Sequence, residues 1–181
     1  KHPLIDLTVY YCALSHHHRK WKISEYKNYN YSVLSGKTIE LCGFTYHINP
    51  VIIKNLIKEK YNIVILGGCI DFTTQISFAL LKLIKTPIIL WSEGIREGQS
   101  FFGRCLNFIT KYVVKNVNAI IVPGGRSKEF HITMGASPEI VFIAHNIINN
   151  DKYILGTQHI RNNQKEIRDE LNIGDKKAIL F

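Results

Sequence analysis

Few residues in this chain combine the type and the position that chemistry needs. In "TPIILWSEGIREG", residues 86–98, an apolar run ends on Ser92, Glu93 and Gly94, with Arg96 close behind. A carboxylate at the end of a buried strand can act as a general base, because partial burial disfavours its charged form. The plainer alternative is a solvated loop glutamate paired with Arg96. "HHHRKW", residues 16–21, places three histidines side by side. Consecutive residues of an extended loop point apart, and a mononuclear metal site gathers ligands from separated positions, so no metal is expected. Arg19 can grip a phosphate or carboxylate there, and Trp21 can offer a face to an apolar group or a sugar ring. "GGRSKEF" sets Arg126 and Lys128 at a helix start, where dipole and side chains both favour an anion. "AHN" brings His145 and Asn146 after a strand; His145 suits a structural hydrogen bond as well as a ligand contact.

Three apolar strands end on glycine: at Gly67 and Gly68, at Gly94 after Glu93, and at Gly124 and Gly125. Glycine lets the backbone approach a ligand and leaves N–H groups open to anions. It also simply terminates strands. Three such endings on one edge favour a cleft, since ligands of open parallel sheets bind beyond the carboxyl ends of the strands. The chain has no G-x-G-x-x-G, no Walker-type glycine loop and no G-x-S-x-G elbow. Dinucleotide binding, P-loop hydrolysis and serine hydrolysis are therefore disfavoured.

The elements that would position these residues follow from the apolar rhythm. Strands are expected over 4–14, 38–48 (one or two), 61–68, 87–94, 118–125 and 138–146. Helices are expected over 49–60, 71–86, 100–117, 126–135 and 165–173. Asn49 is expected to cap the first helix, with Pro50 in its first position and Ile52, Ile53, Leu56 and Ile57 forming its apolar face. Residues 15–37 read as a polar and aromatic loop, and 149–164 as a linker. Strands alternating with helices, each apolar along its length, indicate an α/β, Rossmann-like fold: a mostly parallel sheet with helices on both faces.

Composition sets the outer limits. The 181 residues suit one domain, or one domain and part of another, and an apolar share of 46 % allows a sizeable core. No stretch approaches a membrane span, and no basic-then-apolar leader is seen. The chain starts at Lys1 and ends on the strand-like "AILF", which reads as a fragment. Cys12, Cys42, Cys69 and Cys105 are far apart and read as small buried hydrophobes, consistent with a reducing compartment. Lysine and arginine number 23 against 14 acids, a net charge of +9 that attracts anionic partners or merely solvates the surface.

Taken in order, these segments resemble the N-terminal half of a retaining glycosyltransferase of family 4, the group 1 class. "YNIVILGG" looks like that family's strand after a "P-D-V-V" segment, and "KTPIILWSEG" is similar to the stretch ending in a histidine or acid. "NAIIVPGGRSKEFHITMGASPEIVFIAHN" resembles "A-D-x-I-I-V-x-S", a helix, then "G-V-x-x-x-K-I-x-V-I-P-N-G-V-D". The resemblance implies the two-domain B-type plan, with an acceptor-side domain over 1–150 lacking its first strand. Residues 151–181 would be a linker, a helix and the start of the nucleotide-sugar domain. It places Glu93 near the reaction centre, Gly124 and Gly125 where a serine often stands, and Asn146 at the family asparagine. Asn149 stands near the expected aspartate, with Asp151 just after. With the residues singled out above on type and position, the candidate substrate contacts are Arg19, Trp21, Gly67, Gly68, Gly94, Arg96, Gly124, Gly125, Arg126 and Asn146. The implied partners are a nucleotide sugar (a co-substrate, with no cofactor), a saccharide or lipid-linked acceptor, and the protein's own C-terminal domain. The implied location is cytoplasmic, with possible peripheral contact at the inner membrane face. By itself, 1–181 should be inactive, and the parent chain should continue into "VGR"-like sequence. Two other readings stand beside this one. A basic non-catalytic Rossmann-like module could bind nucleic acid or an anionic membrane, although no helix carries a base-reading arginine stripe. A nucleotide-sugar epimerase fragment would share the two-domain plan.

Overall fold

The computed structural model describes residues 4–14, 29–41, 44–95, 101–147 and 150–177. The chain falls into two compact units, Lys1–His145 and Asn146–Phe181.

The first unit is built on a four-stranded parallel sheet in the order β5-β6-β7-β8. Its strands are β5 (Val64–Gly67), β6 (Ile88–Trp91), β7 (Ala119–Val122) and β8 (Val141–Ile143). They are joined by α2 (Phe72–Leu83), α3 (Phe101–Val114) and α4 (Gly125–Thr133), the last followed by a short 3-10 turn, Pro138–Ile140. Two smaller pairs precede the sheet. β1 (Thr8–Tyr11) and β2 (Asn30–Val33) pair in parallel, while β3 (Lys37–Leu41) and β4 (Phe44–Ile48) form an antiparallel pair. α1 (Val51–Glu59) follows β4 and packs on α2. The α/β class and the parallel sheet are those expected.

Strands that follow one another across a parallel sheet, joined by right-handed crossovers, carry all their helices to one face. The burial pattern agrees. Leu66, Ile88, Leu90, Ile120, Val122 and Val141 are buried in one cluster with Phe78 and Leu81 of α2, Val113 and Val114 of α3, and Met134 after α4. The alternate residues Ile65, Trp91 and Phe142 are 48 %, 43 % and 55 % exposed. The strands are apolar on both faces, and among the described residues the helices lie against the first.

Local structure departs from expectation in three places. Residues 30–33, read as loop, form β2; its residues are all exposed, so no apolar alternation marks it. The stretch read as a linker is the helix α5 (Asn150–Asn162), which with α6 (Gln164–Glu170) makes up the second unit. The described side chains of α5 are all exposed, and helices are legible in sequence chiefly through a buried stripe. Asn49 does not cap α1: the residue at the cap is Pro50, with no side-chain capping bond. Of the apolar face expected for α1, Ile52 and Leu56 are buried while Ile53 and Ile57 are exposed. Among the described residues, no helix is long and apolar enough to cross a membrane.

Candidate functional site

A cleft of about 500 Å³ opens at the carboxyl ends of β5 and β6. β5 ends at Gly67, and the chain turns sharply at Gly68, whose φ is +102° and whose N–H donates to Leu66 O at 3.0 Å. Cys69, Ile70 and Asp71 then lead into α2. Asp71 caps that helix, its Oδ1 accepting from Thr73 N at 2.9 Å. Its Oδ2 accepts from His47 N at 2.7 Å, so one carboxylate ties β4 to the start of α2. On the other side the cleft is lined by Ser92 and Gly94 beyond β6, by Gly103, Leu106, Asn107 and Thr110 of α3, and by Phe130 of α4. Thr45 and Tyr46 of β4 complete it.

The wall formed by Gly94 is set from α4. Ser127 Oγ donates toward Gly94 O at 2.8 Å and lies 3.3 Å from Ser92 O, holding the end of β6 against the helix. Phe130, one turn within the same helix, lies so close that a Cβ on Gly94 would stand 2.8 Å from its Cε1. A side chain at position 94 would have to push that ring aside. His131, fully buried, has Nδ1 2.6 Å from Ser127 O. A carbonyl only accepts, so Nδ1 carries the proton and Nε2 is the bare nitrogen. Nε2 is buried without a hydrogen-bond partner, and desolvation holds the imidazole below its ordinary pKa.

Of the residues expected to form a site, Gly67, Gly68 and Gly94 line this cleft. Glu93 stands between two lining residues but is itself exposed and is not part of the lining, in keeping with the solvated-loop alternative. Gly124 and Gly125 sit at the start of α4 and Arg126 is exposed on its first turn, and none of the three lines the cleft. A Cβ on Gly124 or Gly125 would meet nothing within 4 Å. Asn146 belongs to the second unit and is exposed. His145 takes the structural option, its Nδ1 lying 2.9 Å from Pro123 O. Arg19, Trp21 and Arg96 lie outside the described residues, as do Asn149 and His16 to His18.

Asp71 is the one carboxylate among the lining residues, and both of its oxygens already accept backbone N–H groups. Cys69 is buried, which pushes its thiol up, and its Sγ lies 3.7 Å from Thr110 Oγ1. Thr110 Oγ1 also donates to Leu106 O at 3.0 Å. The described lining thus holds no activated nucleophile and no free base. It offers apolar surface from Ile70, Leu106 and Phe130, neutral polar groups, and glycine backbone. That is the make-up of a site that orients an uncharged polar ligand. No three His, Cys, Asp or Glu side chains among the described residues converge as a metal site would need.

Asp71, Asn107, Thr110, Ser127, Phe130 and His131 did not emerge from the sequence as site residues. Asp71 had a signal, an acid two residues before Thr73 at a helix start. The others act through contacts across elements, which no local pattern announces.

No protein-family model and no curated protein matches the chain. A solved structure similar to it is that of a UDP-N-acetylglucosamine 2-epimerase from Rickettsia bellii, with 21 % identity and a TM-score of 0.43. The match covers 67 % of this chain and 31 % of that one, so the chain spans less than a third of that protein's length. A likeness at this level carries no inference about activity.

Proposed function

We propose that this chain forms the acceptor-side domain of a retaining glycosyltransferase of the two-domain B type, and that its cleft holds the saccharide part of an acceptor. The observation that carries the reading is the lining of the cleft. A saccharide presents neutral hydroxyls around an apolar ring face. Phe130, Asn107, Ser92 and the glycine backbone at Gly67, Gly68 and Gly94 suit both parts. The order of the strand-end segments supports the same class. On this reading the nucleotide sugar is held by a second domain, and Glu93, exposed beside the cleft, reaches the reaction centre only when that domain closes on it.

Two measurements test the proposal. In a titration of the isotope-labelled chain with mono- and oligosaccharides, the amides of Gly67, Gly68 and Gly94 are expected to shift, with nucleoside diphosphate alone leaving them in place. Shifts with the nucleotide and none with sugars would overturn the acceptor assignment. In the complete enzyme, Glu93→Gln is expected to lower turnover by about 100-fold or more with folding intact. Undiminished transfer would take Glu93 out of the reaction, and epimerised nucleotide sugar without transfer would replace the transferase reading altogether.

A further inference from the structure

The outer side of the helical layer has a composition unlike the rest of the first unit. α2 and α3 contain no aspartate or glutamate at all. Nor do the turns that follow them, residues 84–87 and 115–118, which add Lys85 and Lys115. At about 100° per residue, Arg104, Phe108, Lys111 and Lys115 fall within about 60° of one another on α3 and its continuation. All four are exposed, on the side opposite Leu106 and Val113, which are buried. Phe108 is 74 % exposed in the middle of this cationic stripe, and Tyr112, one turn on, is 57 % exposed.

α2 continues the surface. The Phe78 and Tyr112 rings meet edge to face at 6.0 Å, and Lys82 Nζ donates to Asn116 O at 3.1 Å, so the two helices meet toward their C-terminal ends. At the end of α2, Leu83 is 79 % exposed beside Lys82. α1, packed on α2, adds Lys54 and Lys58 and one acid, Glu59, which is 3.4 Å from Lys58 Nζ. Large apolar tips standing free within a field of cations, with Glu59 the one acid among the described residues of these helices, are costly in water. They match a surface that is anionic at its headgroups and apolar just below.

We propose that the outer face of α2 and α3 docks on an anionic phospholipid surface, with Phe108 and Leu83 entering the headgroup layer and Arg104, Lys111 and Lys82 meeting lipid phosphates. None of these residues lines the cleft, so this surface is tested separately from the transferase reading, although the family resemblance also implies contact with a membrane face. The exposed apolar tips favour lipid over nucleic acid, whose backbone offers them nothing to bury in.

The test is co-sedimentation of the full chain with phosphatidylcholine vesicles and with vesicles also containing phosphatidylglycerol. Binding is expected only to the anionic vesicles and is expected to be lost at high salt. Arg104→Glu with Lys111→Glu is expected to weaken partitioning at least about tenfold. Phe108→Ala is expected to weaken it about fivefold with the circular dichroism unchanged. Should Phe108→Ala unfold, Leu83→Ala reads the same apolar contribution. Absence of binding to anionic vesicles overturns the proposal, as does binding that neither the charge reversal nor the apolar variants reduce. Duplex DNA that displaces the vesicles and binds Phe108→Ala as well as wild type would assign the face to nucleic acid instead.

Discussion

Gly67 and Gly68 are adjacent and both line the cleft, yet they answer to different constraints. Gly68 sits at φ +102°, a conformation that side-chain-bearing residues rarely adopt. Gly68→Ala is therefore expected to destabilise the protein by about 1–3 kcal/mol, read as a lower midpoint in chemical denaturation. Gly67 has no positive φ, and a Cβ there would meet nothing within 4 Å. Gly67→Ala is expected to change stability by less than about 1 kcal/mol, and its methyl would project into ligand space. A ligand-binding loss in Gly67→Ala without a stability loss would separate the two roles. His131 offers a second test at this scale. Burial depresses its folded-state pKa, so the folded protein takes up a proton less readily than the unfolded chain, where histidine titrates near 6.5. Stability is then full above that pH and falls as pH drops below it, by at most about 1.4 kcal/mol per pH unit. Denaturation curves between neutral and mildly acidic pH should show a flatter decline for His131→Gln than for wild type. Identical slopes would mean that another group sets the acid sensitivity.

Among the elements, the join between the small strand pairs and the main unit turns on one buried side chain. Asn49, 2 % exposed, donates from Nδ2 to Cys12 O and to Leu34 O, both at 3.1 Å. Its Oδ1 lies 2.9 Å from Thr73 Oγ1, and its backbone N–H reaches the same oxygen at 3.0 Å. One residue thus ties the chain just after β1 and just after β2 to the first turn of α2. Asn49→Ala strands two carbonyls, one of them buried, and is expected to cost about 2–4 kcal/mol. A drop of less than 1 kcal/mol in the unfolding free energy would show that water replaces the amide. The sequence places Asn49 before Pro50 and so points to a cap. The buried role wins because three separate segments present polar groups at that point, a convergence that local spacing does not reveal. The strands and helices from β5 to β8 were legible for the opposite reason: each carries its own apolar run and most end on glycine. β2 and the described side chains of α5 are exposed and carry no such mark.

At the scale of the whole molecule, the hydrophobic core of the first unit is drawn, among the described residues, from Leu34 to Val141. A chain ending at His145 is expected to unfold cooperatively, with a denaturation midpoint close to that of the full chain. Loss of cooperativity on that truncation would show that the α5–α6 unit supports the fold in some way other than through the core. The sheet presents Ile65, Trp91 and Phe142 on its second face, while α2 and α3 present cations and bare aromatic tips on the other side of the layer. Both surfaces follow from one topological fact, the sequential strand order, which sends every crossover helix the same way.

Periodicity and glycine placement in the sequence determined the α/β class, the parallel strands and the glycine-ended edge where Gly67, Gly68 and Gly94 meet a cleft. Those are local properties: an apolar run closing on a residue without a side chain needs no distant partner to be recognised. Only the tertiary structure decided that Asp71 serves as a cap and a tie, that the Phe130 ring crowds position 94, that His131 is buried with a bare nitrogen, and that Glu93 stands outside the cleft lining. Each depends on which element is packed against which. That is set by the summed burial of the whole core, and no short window of sequence contains it.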